Sequence, residues 1–311
     1  MKLIFAGTPD FAQQALAALY EAGHDIKAVI TMPDKPKGRK GTPVPSPVKE
    51  EALKHGTPVL QPLSLKNAEV YDAIKAFGPD AVIVSAYGGI VPENILELPK
   101  YGCINEHASL LPAYRGAAPI QWAVLDGCEK TGVTIMQMNK GLDTGDMLSF
   151  CEVEIDKKET SGSLFDKLAE KGARLLVKTL EDIENGRIKE GTPQPKASTT
   201  RYARMIIKND GLIDWSRSAA ELERFVRGMD PWPGAYTFLN GRTLKIWKAD
   251  ICEEDTGKTP GTVTCCSRGG ISVQTGSGLL ALKEVQLEGK KRMECGSFLC
   301  GNAVAEGTVL G

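Results

Sequence analysis

Lys2-Leu3-Ile4-Phe5-Ala6-Gly7-Thr8-Pro9-Asp10-Phe11 opens the chain. It reads as a short buried strand, a turn over residues 7–10 and the start of a helix running to residue 22. Phe11, Ala15, Leu16 and Leu19 fall at helical spacing. The alternation continues outward from there. Strands are predicted at residues 26–31, 57–61, 81–85, 102–107 and 133–138, and helices at 68–77, 118–125 and 163–185. Strands alternating with helices predict a mostly parallel sheet covered on both faces.

Beyond about residue 205 the pattern changes. One helical stretch, 219–227, precedes short runs at 235–239, 243–248, 261–264, 270–274 and 279–287, separated by Gly-rich turns such as Asn240-Gly241. Short strands at this spacing predict a small antiparallel β-barrel. The polar, proline-containing stretch between the halves reads as a linker. The expected division is a catalytic domain over 1–188, a linker over 189–205 and a barrel domain over 206–311. Residues 31–49 interrupt the first half. Five prolines and two glycines there exclude regular structure. Lys35, Lys37, Arg39, Lys40 and Lys49 against the single acid Asp34 give this segment a net charge of +4.

The 311 residues are 42% hydrophobic and 25% charged, the composition of a globular protein with a sizeable core. A net charge of −1 provides no overall field for nucleic acid or membrane, so any such attraction must be local. The opening apolar run is too short for a signal peptide, and no stretch approaches the ~18 apolar residues of a membrane span. A cytoplasmic location is expected. None of the eight cysteines is spaced as C-x-x-C, so reduced structural thiols and no metal site are expected.

Three histidines are present. His24 and His55 sit at helix ends, where a surface role suffices. His107 ends a strand and opens a loop, and ligands of parallel sheets bind outside the carboxyl ends of strands. Asn105 precedes it by two residues and points to the same side. An imidazole can move a proton between an attacking amine and a leaving group. An amide can donate to a carbonyl oxygen as it becomes an oxyanion. Asp143, in Asp143-Thr144-Gly145-Asp146 after the 133–138 strand, offers a carboxylate at another strand's carboxyl end. Such a group would stabilise an imidazolium at His107. No G-x-S-x-G elbow is present. Residues 6–12 hold one glycine, which argues against a dinucleotide-binding turn.

Asn105-Glu106-His107-Ala108-Ser109-Leu110-Leu111-Pro112 with Asp143-Thr144-Gly145-Asp146 resembles the folate-dependent formyltransferases. Phe5 to Ala12, Pro45 to Lys49, Val84 to Gly88, Gly132 to Met138 and Asp230 to Ala235 extend the likeness over nearly the whole chain. The resemblance implies a Rossmann-like first domain and an OB-like barrel. It implies a catalytic trio of Asn105, His107 and Asp143. It also implies a folate site bordered by Ser109, Leu110, Leu111, Pro112, Tyr87 and Gly88. The co-substrate would be 10-formyltetrahydrofolate, bound without a metal. The acceptor would be the amino group of methionine on initiator tRNA, with Lys35, Lys37, Arg39 and Lys40 contacting the RNA and the enzyme acting as a monomer. Glu106 departs from the family, which carries an apolar residue there. It should point away from the site, toward solvent or a basic partner. Trp215, Trp232 and Trp247 are expected in the core, and Arg217, Arg224, Arg227, Arg242, Lys245 and Lys248 permit a basic stripe. A sugar-nucleotide amine formyltransferase is the rival within the family, against which the basic 31–49 insertion counts. A non-catalytic RNA-binding protein would explain that insertion but not the trio.

Overall fold

The computed structural model describes the chain except residues 38–41, 199 and 253. The first part runs β1 (Lys2–Gly7), α1 (Asp10–Glu21), β2 (Asp25–Ile30), β3 (Lys35–Lys37), β4 (Thr42–Val44), α2 (Pro47–Lys54), β5 (Val59–Leu60), α3 (Ala68–Phe77), β6 (Ala81–Ser85), α4 (Glu93–Leu96), β7 (Cys103–His107), α5 (Pro119–Leu125), β8 (Lys130–Gln137), β9 (Met147–Glu154) and α6 (Ser161–Glu184). A 3-10 turn (Lys208–Gly211) follows, then α7 (Ala219–Met229), β10 (Ala235–Leu239), β11 (Arg242–Cys252), β12 (Val263–Ser267), β13 (Gly270–Gln274), β14 (Leu279–Leu287), β15 (Met293–Glu294) and α8 (Cys295–Gly301). Two compact units form. One holds Met1–Pro119, Lys130–Glu154 and Phe165–Ala203; the other holds Ile120–Glu129, Ile155–Leu164 and Arg204–Gly311.

The first unit is built on a seven-stranded sheet in the order β5-β2-β1-β6-β7-β8-β9. Its first five strands are parallel, β8 pairs antiparallel with β7, and β9 pairs antiparallel with β8. Strands covered on both faces must be apolar on both. Accordingly Leu3, Ile4 and Phe5 of β1 and every residue of β6 are buried. Gly7 ends β1 because a Cβ there would lie 2.6 Å from the Ala12 Cβ and 2.8 Å from the Ser85 carbonyl, so α1 turns away hard against β6. The core of one face gathers Ile4, Ala28, Ile30, Ile74, Val82, Val84 and Tyr87.

Residues 31–37 and 42–49 are more regular than their prolines predict. β3 and β4 pair as an antiparallel ribbon with Pro36 opposite Pro43, and α2 begins at Pro47. A free-standing ribbon has only edge strands, where proline's missing N–H removes nothing from the pairing. At a helix's first turn that N–H has no partner to lose, and Ser46 caps α2 by accepting from Lys49 N at 3.1 Å.

The second unit is an antiparallel sheet, β10-β11-β14-β13-β12, with β15 on β14. Its C-terminal tail bridges the two edges: Leu310 N donates to Gly261 O and Gly311 N to Phe238 O. Helix α7 buries Leu222, Phe225, Val226 and Met229, and starts in a capping box between Ser218 and Glu221. Trp215 is core, donating from Nε1 to Thr237 Oγ1 at 3.1 Å. Trp232 is not, being 54% exposed. Among the described residues no helix is long and apolar enough to cross a membrane. All eight cysteines are free.

Candidate active site

Strand β7 is wholly buried although its sequence, Cys-Ile-Asn-Glu-His, carries three polar residues in a row. Alternation splits them. Asn105 and His107 share one face and Glu106 takes the other. His107 Nε2 lies 3.1 Å from Tyr114 O. A carbonyl only accepts, so Nε2 carries the proton and the ring is oriented by the loop that follows β7. Nδ1 faces Asp143, 4.0 Å from its Oδ1. That is too long for a hydrogen bond and close enough for charge to be felt. Asn105 is 8% exposed, and among the described residues nothing hydrogen-bonds its amide. A buried amide without a protein partner is uncommon. Here it leaves a donor free beside an oriented imidazole.

The side chains of His107 and Asp143 therefore approach each other, but not at two strand ends. β8 is antiparallel to β7, with Thr134 opposite His107 and Gln137 opposite Ile104. The carboxyl end of β8 thus lies at the far end of β7 from His107. Loop 138–146 doubles back to deliver Asp143. Its turn is tight: Thr144 Oγ1 and Gly141 N both donate to Asn139 Oδ1, and Asp143 adopts φ 51°. Aspartate tolerates that left-handed conformation better than most residues.

Two partners of Asp143, and a third residue that holds one of them, were not legible in the sequence. Gly116 N donates to its Oδ2 at 2.8 Å. Gln194 Nε2 donates to the carbonyls of Asp143 and Gly145 at 2.9 and 2.7 Å. Arg115 in turn holds Gln194 Oε1 through Nε and Nη2, at 3.0 and 2.7 Å. Gln194 belongs to the stretch expected as a linker, and no pattern marks a residue whose role is to anchor a distant loop.

The loop after β7 is pinned from β8. Thr134 Oγ1 donates to Ser109 O at 2.7 Å and accepts from Leu111 N at 3.1 Å. Leu111 is buried, Leu110 packs on Gly132, and Pro112 O accepts from Ser198 Oγ. Tyr87 and Gly88 lie just past the carboxyl end of β6, beside the His107 end of β7. Thr8 Oγ1 donates to Tyr87 O, and Gly88 takes a left-handed φ of 84°. A cleft of about 590 Å³ lined by Lys100, Tyr101, Gln137 and Lys189 lies instead toward the amino end of β7.

Residues 1–180 match the family model of formyl transferases, and 205–303 match that of the formyl transferase C-terminal domain. The chain belongs to the formyl transferase family. It is 50% identical to the methionyl-tRNA formyltransferase of Lachnospira eligens, covering 100% of both chains. It is 51% identical to that of Agathobacter rectalis, covering 99% of each. Two solved structures share the fold. WlaRD, a sugar 3N-formyl transferase, gives a TM-score of 0.67 at 18% identity over 94% of this chain and 99% of that one. HypX from Aquifex aeolicus, in complex with tetrahydrofolic acid, gives 0.64 at 18% over 96% of this chain and 46% of that one.

Within this formyl transferase the residues expected to contact RNA are only partly described. Lys35 is exposed on β3. Only the backbone of Lys37 is described, and Arg39 and Lys40 lie outside the described residues. The basic stripe of the second unit is largely engaged in internal pairs: Arg227 with Glu223, Arg217 with Glu221, and Lys245 with Pro233 O. Trp247 is flanked by Lys245 and Arg292, 5.2 and 5.0 Å from its ring. His55 stacks on Tyr20 at 3.8 Å and pairs with Glu51, and burial lowers the pKa of His24. Neither histidine reaches the site. Among the described residues no group of three or more His, Cys, Asp or Glu side chains is placed to hold a metal ion.

Proposed function

We propose that this enzyme transfers the formyl group of 10-formyltetrahydrofolate to the α-amino group of methionine esterified to initiator tRNA. The chemistry is carried by the unpartnered Asn105 amide beside the oriented His107 ring. The acceptor is supported by identity of about half, end to end, to the methionyl-tRNA formyltransferases above.

The neutral amine attacks the formyl carbon, and the formyl oxygen gains negative charge. Asn105 Nδ2 donates to that oxygen. The amine loses one proton and the departing folate nitrogen gains one. Nδ1 of His107 is the group placed to accept the first, and Asp143 stabilises the imidazolium so formed. Ser109, Leu110, Leu111 and Pro112 with Tyr87 and Gly88 border the folate side. Lys35, Lys37, Arg39 and Lys40 meet RNA phosphates. The enzyme acts in the cytoplasm as a monomer, with residues 1–188 as its catalytic part, 189–205 as the connecting stretch and 206–311 as its RNA-facing part.

Removing one oxyanion donor costs about 100- to 1000-fold in rate. Asn105→Ala should lose that much in formylation of charged initiator tRNA while folate affinity changes little. A variant that keeps most of its rate would remove Asn105 from the chemistry. Formylation of amino sugars in preference to the charged tRNA would overturn the acceptor.

A further inference from the structure

Glu106 lies between Asn105 and His107 in sequence, yet its carboxyl reaches neither solvent nor a cation. It is 3% exposed. Ser85 Oγ on β6 donates to Oε2 at 2.7 Å, and Oε1 has no hydrogen-bond partner. Room for Oε1 exists only because α6 carries glycine at 172, where a Cβ would lie 2.2 Å from that oxygen. β8 contributes Val133 to the same space, 3.2 Å from that Cβ position. The titratable group that feels Glu106 is the Cys151 thiol of β9, which Lys171 of α6 also influences. Among the described residues no cation pairs with the carboxyl.

An ionised carboxylate with a bare oxygen in an apolar space is strongly disfavoured. Burial accordingly pushes the Glu106 pKa up to about 8. Below that the group is a neutral acid accepting from Ser85, and β7 packs against Gly172. Above it, Oε1 must gain water or a cation, and neither fits unless β7 and α6 separate. Asn105 and His107 are fixed to the same strand on either side. A displacement of about 1 Å at reacting groups can cost roughly 100-fold in rate.

We infer that Glu106 is a positioning residue: its neutral form holds β7 in the register that aims Asn105 and His107, and its ionisation sets the alkaline limit of activity. This rests on Asn105 and His107 being the reacting pair.

The test is the pH profile of kcat and KM for the full chain, wild type against Glu106→Gln, each normalised to its own rate at neutral pH. An amide cannot ionise. The expected wild-type kcat falls reversibly above about pH 8, by about tenfold per pH unit, with KM little changed. In Glu106→Gln that limb moves by more than a pH unit. Should the amide not fold, Glu106→Met serves the same comparison. Carbon-13 NMR of glutamate-labelled wild type gives a second reading, expected to show one carboxyl titrating near pH 8. A limb shared by wild type and variant, or a set of carboxyls all titrating in the ordinary acid range, overturns the inference. Loss of the Asn105→Ala defect would instead overturn the underlying assignment of the site.

Discussion

Replacing Asp143 by Asn changes one charge and little else. The Asn side chain keeps an oxygen to accept from Gly116 N, now 2.8 Å from Oδ2. It also tolerates the φ of 51°. What disappears is a unit charge 4.0 Å from His107 Nδ1. At that distance two charges attract by about 1 kcal/mol in water and about 4 kcal/mol at an effective dielectric of about 20. The two side chains are 8% and 15% exposed, which favours the larger figure. At about 1.4 kcal/mol per decade, any step that passes through an imidazolium slows by roughly 10- to 1000-fold. Single-turnover formylation of charged initiator tRNA reads this directly, with thermal melting as the control for folding. Asp143→Ala should lose comparable activity and also about 1–3 kcal/mol of stability, because it strands the buried Gly116 N–H. If Asp143→Asn keeps more than half the wild-type single-turnover rate while melting normally, His107 does not pass through a charged state facing Asp143, and the proton route proposed above is wrong.

Gly172→Ala should gain about 1 kcal/mol from helix propensity alone. The new Cβ would meet Glu106 Oε1 at 2.2 Å, so a net loss of about 1–3 kcal/mol is expected, turning neutral or favourable in a Glu106→Ala background; denaturant titration of the double-mutant cycle decides. The pKa of Glu106 is raised from 4.5 to about 8, so its contribution to stability is complete below about pH 4.5 and is lost as pH climbs to about 8. Glu106→Gln should therefore gain on wild type as pH rises through that window, by up to a few kcal/mol, and a difference in melting that stays constant across it would refute the assignment. Ser218→Ala should cost about 1 kcal/mol by removing the cap from α7, whose Glu221 N now donates to Ser218 Oγ. Lys35→Ala should weaken tRNA binding and flatten its salt dependence by about one phosphate contact, seen by titration at several ionic strengths.

Element type was legible because burial leaves a periodic trace. β1 and β6 are unbroken apolar runs, as strands covered on both faces must be, and α1 and α7 carry apolar residues at helical spacing. β9 left no such trace: one face is largely exposed at the sheet's edge, so Phe150 and Cys151 follow no core rule. The ribbon of β3 and β4 was missed because proline counts speak against paired strands in general and not against edge strands. The three tryptophans show the limit of composition, since Trp215 is core and Trp232 is surface.

By itself the sequence determined which polar groups are the candidates for the site. Asn105 and His107 are two residues apart on one strand, and local geometry alone puts them on the same side. Asp143 could be named but not placed. Its approach depends on β8 running against β7, on a loop folding back, and on Gln194 and Gly116 gripping that loop from distant parts of the chain. Strand direction and long-range hydrogen bonds are properties of the packed sheet, and no local pattern encodes them. The same holds for Glu106. Its place in the sequence sends it to the opposite face, but only the packing of α6 through Gly172 decided that this face would be closed to water.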